Sequence, residues 1–134
     1  MRFSRKLSVL AAILAVGVYF SVANAAEEKG PDCKAVMKTQ NMIRGAILPK
    51  KGEPNWEEAS KKSKTWLTAA EDLGKNDPPI GTKDSWKEQT AKYVTNVKAV
   101  DDAVAKKDAA AVSKGLATFG ASCGGCHSKH KPKK

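Results

Sequence analysis

The stretch DSWKEQTAKYVTNVKAVDDAV, residues 84–104, decides the fold class. Trp86, Thr90, Tyr93, Val97, Val100 and Val104 recur in it at strict three- and four-residue intervals, while lysines and acids fill six of the thirteen positions between them. That period sets one face of an α-helix against a core and leaves the opposite face to water. A half-buried strand needs alternation at every second residue, which this stretch lacks. Asp84 or Ser85 is the expected N-cap, because a short oxygen-bearing side chain accepts from the unpaired N–H groups of a first helical turn.

The neighbouring segments repeat the pattern. Asn76-Asp77-Pro78-Pro79-Ile80-Gly81 is a turn-forming linker. Before it, Trp56, Ala59, Ser63, Trp66, Leu67, Ala70 and Leu73 share one helix face, with Asn55 as N-cap and Gly74 at the stop. Further upstream, Pro31-Asp32 suit a first turn. The stripe Cys33, Val36, Met37, Gln40, Ile43 and Ile47 then runs to about Leu48, where Pro49 and Pro54 break it. Downstream, Asp108 caps a fourth helix that carries Val112, Leu116, Phe119, Cys123 and Cys126 on one face and ends near Pro132. Four helices with short connections predict an all-α protein, an antiparallel four-helix bundle.

The chain has 134 residues and a formal charge of +10. Arg2, Arg5 and Lys6, the apolar run from Leu7 to Val22 and the small-x-small triplet Ala23-Asn24-Ala25 predict a secretory signal peptide over residues 1–25, removed on export to the periplasm. The apolar run is shorter than the about 20 residues that a membrane span needs, so no transmembrane span is expected in the mature form. Residues 26–134 then form one domain with a charge of +7. That length leaves little room for a two-domain enzyme with a cleft between domains, and a non-enzymatic protein is expected. The lysines alternate with acids and cluster only in Lys129-His130-Lys131-Pro132-Lys133-Lys134. No recognition-helix pattern or aromatic-interleaved basic strand accompanies them, which argues against nucleic acid. An acidic redox partner protein is the docking partner such a tail would favour.

The chemistry is concentrated in Cys123-Gly124-Gly125-Cys126-His127. C-x-x-C-H is the attachment motif of a c-type haem. Cysteines at i and i+3 of a helix share a side and can form thioethers with the two vinyl groups of one porphyrin, and the adjacent histidine ligates the iron. A thioredoxin-type dithiol would need a strand–loop–helix setting. A zinc site would have to draw Cys123, Cys126, His127 and His130 from two consecutive turns, with no second knuckle. Haem c, one per chain and covalent, is the expected cofactor.

The phrase Phe119-Gly120-Ala121-Ser122-Cys123-Gly124-Gly125-Cys126-His127 resembles the last helix of the class II c-type cytochromes, the cytochrome c′ and cytochrome c556 group. Residues 52–56 resemble that family's first interhelical loop more weakly. Only seven residues follow His127, whereas class I cytochromes carry the motif near the N-terminus. The resemblance implies an exported four-helix bundle with His127 as proximal iron ligand. It also implies a distal residue from the first helix, which falls at Val36 or Met37, with Met42 as the second candidate. A methionine there implies a six-coordinate electron carrier. An apolar residue implies a five-coordinate binder of nitric oxide or carbon monoxide. The family's aromatic and arginine at three and four residues past the proximal histidine are His130 and Lys131 here, and His130 reads as a surface residue beside the haem edge. Arg44, the sole arginine of residues 26–134, is a candidate contact for a haem propionate. Cys33 is left over as a buried small residue, a thiol of depressed pKa near a helix N-terminus, or an intermolecular disulfide. A homodimer through the first two helices is a further possibility that the resemblance carries.

Overall fold

The computed structural model describes residues 30–47 and 52–133, apart from the side chain of Arg44. The expected signal peptide and the expected Arg44 contact therefore lie outside the described residues. The described residues form four helices: α1 Cys33–Ile47, α2 Trp56–Leu73, α3 Lys83–Ala105 and α4 Ala109–His130. No strand occurs among the described residues. Each helix packs on the next in sequence, α1 on α2, α2 on α3 and α3 on α4. The connection between α3 and α4 spans residues 106–108, and with Lys107 at φ 55° it reverses the chain so that two packed helices run antiparallel. No described helix is long and apolar enough to cross a membrane.

The helix ends follow local chemistry. Asn55 accepts from the Glu58 N–H at 3.1 Å, and Asp108 accepts from the Ala111 N–H at 2.9 Å, each as its sequence position predicts. The start of α3 differs from expectation: Thr82, not Asp84 or Ser85, is its N-cap, and its hydroxyl accepts from the Ser85 N–H at 3.3 Å. Gly81 at φ +89° turns the chain just before it and delivers Thr82 in the extended conformation that a cap requires. Asp84 then falls inside the first turn, where a carboxylate suits the helix dipole.

The apolar stripes meet in two clusters. The larger joins Ile43 and Ile47 of α1, Trp66 and Ala70 of α2, Val97, Val100 and Val104 of α3, and Val112, Leu116 and Phe119 of α4. Trp66 is fully buried at its centre, edge-on to Phe119 at 4.9 Å and to Tyr93 at 6.5 Å between ring centroids. Its indole N–H donates to the Tyr93 hydroxyl at 2.8 Å, and that hydroxyl donates in turn to Gln40 Oε1 at 3.4 Å, so one polar thread crosses α2, α3 and α1. The smaller cluster is Val36, Leu73 and Trp86, with Cys33, Met37 and Cys126 packed around it.

Burial pushes the Tyr93 hydroxyl up to about 12, against the lowering effect of the Trp66 hydrogen bond. The unfolded chain ionises this group near 10 while the folded chain holds it neutral. The associated stability is therefore complete below pH 10 and disappears as the pH rises from 10 to 12, about 3 kcal/mol in all. Urea unfolding of the wild type and of Tyr93→Phe across that window checks this. The wild type should lose stability relative to the variant as the pH rises, and parallel curves would refute the assignment.

Candidate functional site

The last three turns of α4 carry the chemistry. Phe119 anchors this part of the helix in the larger cluster, which fixes the directions of the residues that follow. Cys126 is half-buried and His127 is exposed, and both line a cavity of about 1040 Å³ between α4 and α1. Pockets that enclose organic ligands typically measure about 300–1,000 Å³, so this one has room for a large planar group. α1 forms the opposite wall with Cys33, Met37 and Met42, and Trp86 of α3 contributes to the wall between them. The His127 ring takes part in no hydrogen bond among the described residues.

The structure separates the residues between which the sequence could not choose. Val36 is 1% exposed and packs with Leu73 and Trp86, so it does not face the cavity. Met37, half-buried on the next position, does. Met42 reaches the rim of the same cavity but is 62% exposed, more open to water than to the wall opposite. Cys123 is half-buried and turned the other way: its Sγ lies 3.5 Å from the Phe119 carbonyl, and it packs on the larger cluster. It sits one helical turn from Cys126, and a change of rotamer rather than of backbone separates the two directions.

Burial, with the neighbouring Cys33 and Cys123 as smaller causes, pushes the Cys126 thiol up from its ordinary value. Cys33 is raised too, first by burial and then by Asp32. That corrects one reading of Cys33: no depressed, reactive thiolate forms at the start of α1, because desolvation outweighs the helix terminus. Both groups are thiols at neutral pH.

His130 also differs from expectation. It is 2% exposed, not a surface residue. Its Nδ1 lies 2.8 Å from the Ile80 carbonyl and its Nε2 3.1 Å from the Ser85 hydroxyl, with its ring edge-on to Trp86 at 5.2 Å. With both nitrogens occupied, His130 has no lone pair left to complete a zinc set. Among the described residues no group of three or more His, Cys, Asp and Glu side chains is arranged to hold a metal ion.

Two features that the motif alone did not point to surround the site. Lys34 and Lys38 of α1 and Lys131 and Lys133 beyond α4 line the cavity against one acid, Asp32, so its surroundings are cationic. Lys34 and Lys38 flank Met37 at i−3 and i+1, a placement visible in the sequence once Met37 is taken to face the site. Trp86, 3% exposed, keeps an indole N–H with no partner among the described residues.

The residues fit a covalently held haem. An apolar-walled cavity, a thiol and an imidazole on one helix, a thioether opposite and a cationic surround suit a planar macrocycle that bears two carboxylates. A Cβ on Gly124 would meet nothing within 4 Å, so protein packing does not require a glycine there. Comparison with protein-family models, with curated proteins and with solved structures finds no match for this chain.

Proposed function

We propose that this chain is a periplasmic monohaem c-type cytochrome that carries electrons between protein partners and turns over no substrate. The observation that carries the reading is the placement of the C-x-x-C-H motif: Cys126 and His127 line one wall of a large cavity and Met37 the other. Haem, when bound, supplies a one-electron iron couple. Cys123 and Cys126 would hold it, their thiols supplying the sulfur of two thioether links to its vinyl groups. His127 would offer its imidazole to the iron from α4, and Met37 of α1 would offer a soft thioether, a ligand that favours the reduced state. Lys34, Lys38, Lys131 and Lys133 present positive charge to an acidic partner, which raises encounter rates more than affinity.

The alternative of a five-coordinate gas-binding cytochrome c′ requires an apolar residue over the iron. Val36, the candidate for that role, is committed to the core. Visible spectra of the ferrous, haem-loaded protein before and after carbon monoxide separate the two readings. Sharp low-spin bands that carbon monoxide barely changes are the expected result, and an immediate shift from a broad high-spin spectrum would favour the gas binder.

A further inference from the structure

His130 ties the end of α4 to a segment fifty residues away, and nothing in electron transfer itself asks for that contact. We propose that His130 is a positioning residue: it latches the last turn of α4 to residues 80–85 and so fixes the direction in which the His127 imidazole points. The inference rests on the haem reading for its consequence, but its geometry is independent of it.

The Ile80 carbonyl can only accept, so Nδ1 of His130 carries the proton and donates at 2.8 Å. Nε2 is then the acceptor of the neutral ring and takes the Ser85 hydroxyl proton at 3.1 Å. Trp86 supports the ring from the side, edge-on at 5.2 Å. The other jaw of the latch is Gly81. At φ +89° it holds a conformation that side chains rarely adopt, and a Cβ there would stand 2.9 Å from the Lys129 carbonyl oxygen and 3.0 Å from His130 Nδ1. Glycine is thus needed both for the turn and for the close approach of α4.

His127 lies one turn before His130, and the Lys131 N–H closes that turn on the His127 carbonyl at 3.1 Å. The last turn of a helix leaves carbonyls unpaired and frays readily. Held only by its own backbone, the turn would let an exposed imidazole sample many directions. Anchored at both ring nitrogens of His130, the turn holds the His127 Cα–Cβ bond in one direction and narrows the cone the imidazole can sample, which is the preorganisation that a ligand residue needs from its supporting contacts.

Four variants test this: His130→Phe, which keeps a ring against Trp86 but loses both hydrogen bonds; Gly81→Ala, which acts from the opposite jaw; Ser85→Ala, which removes one partner; and His130→Asn, whose amide can still donate to Ile80. In the haem-free protein, amide exchange over residues 127–131 should rise about 10- to 100-fold in His130→Phe and Gly81→Ala. NMR relaxation of the His127 ring should show a wider range of motion, exchange at Val97 and Val100 should stay unchanged, and His130→Asn should return towards wild type. In the haem-loaded protein the same two variants should shift the reduction potential and broaden the low-spin signal, with recovery in His130→Asn. Unchanged exchange and ring motion in both variants would overturn the latch. Faster exchange with wild-type ring motion, potential and spectrum would show a structural contact only and overturn the positioning role. Should one variant fail to fold, Ser85→Ala and the remaining one carry the same readouts. If the wild type takes up no haem, the cofactor reading falls while ring motion and exchange still decide the inference.

Discussion

Replacing both Cys123 and Cys126 with alanine should abolish covalent haem incorporation, and the two single variants should be unequal, with Cys126→Ala losing more. The asymmetry follows from where the two sulfurs point. Cys126 lines the cavity and already faces the space that the macrocycle would fill. Cys123 faces the Phe119 carbonyl and must leave that weak contact and rotate into the cavity before it reacts. Haem staining after denaturing electrophoresis, scaled to protein, reads the result. Wild type should stain fully, Cys123→Ala partly, Cys126→Ala less and the double variant not at all. Stain that survives in the double variant would mean that the chain binds haem by some other bond.

On the proposed ligand set, Met37→Ala should convert a low-spin iron centre into a high-spin one and open it to carbon monoxide. With Met37 as the cap, the apparent affinity of the wild type for carbon monoxide should scale with the fraction of time the thioether is out of its place. A cap closed about 99% of the time weakens apparent binding about 100-fold, and removing the cap restores that factor. Met42→Ala is the control: its side chain is 62% exposed at the cavity rim, and the spectrum should not change. Val36→Ala should lower stability without altering the spin state, because Val36 packs against Leu73 and Trp86 rather than the cavity. Spectral titration of the ferrous variants with carbon monoxide decides among them. A Met37→Ala spectrum identical to wild type would remove Met37 from the ligand set.

What the sequence could convey was mostly what is local. The three-four spacing of Trp86 to Val104 is a property of one helix, and it lies on the core as read, with Trp86 displaced to the smaller cluster beside the cavity. Asn55 and Asp108 cap their helices because a cap reaches only three residues ahead. The cap of α3 was harder to place, since Thr82, Asp84 and Ser85 all offer a suitable oxygen and the choice falls to the turn at Gly81. His130 was misread for a non-local reason. Its neighbours in sequence are lysines, whereas the groups that bury it, Ile80, Ser85 and Trp86, lie 44 to 50 residues away in the chain. The candidate site was legible as residue types, since C-x-x-C-H names a thiol pair and an imidazole together. Its facing was not, because adjacent stripe positions such as Val36 and Met37 differ by about 100° around a helix and only packing selects between them. The different directions of Cys123 and Cys126 are likewise set by the cavity and by Phe119.

The account stands or falls on one covalent bond pattern. Its most direct test is the intact mass of the protein purified after expression of the full chain with a cytochrome c maturation system, paired with the alkaline pyridine spectrum of the same sample. The predicted result is a polypeptide heavier by one haem, with the shifted haemochrome band of a porphyrin whose two vinyl groups have become thioethers. A colourless protein whose mass is that of the polypeptide alone would contradict it.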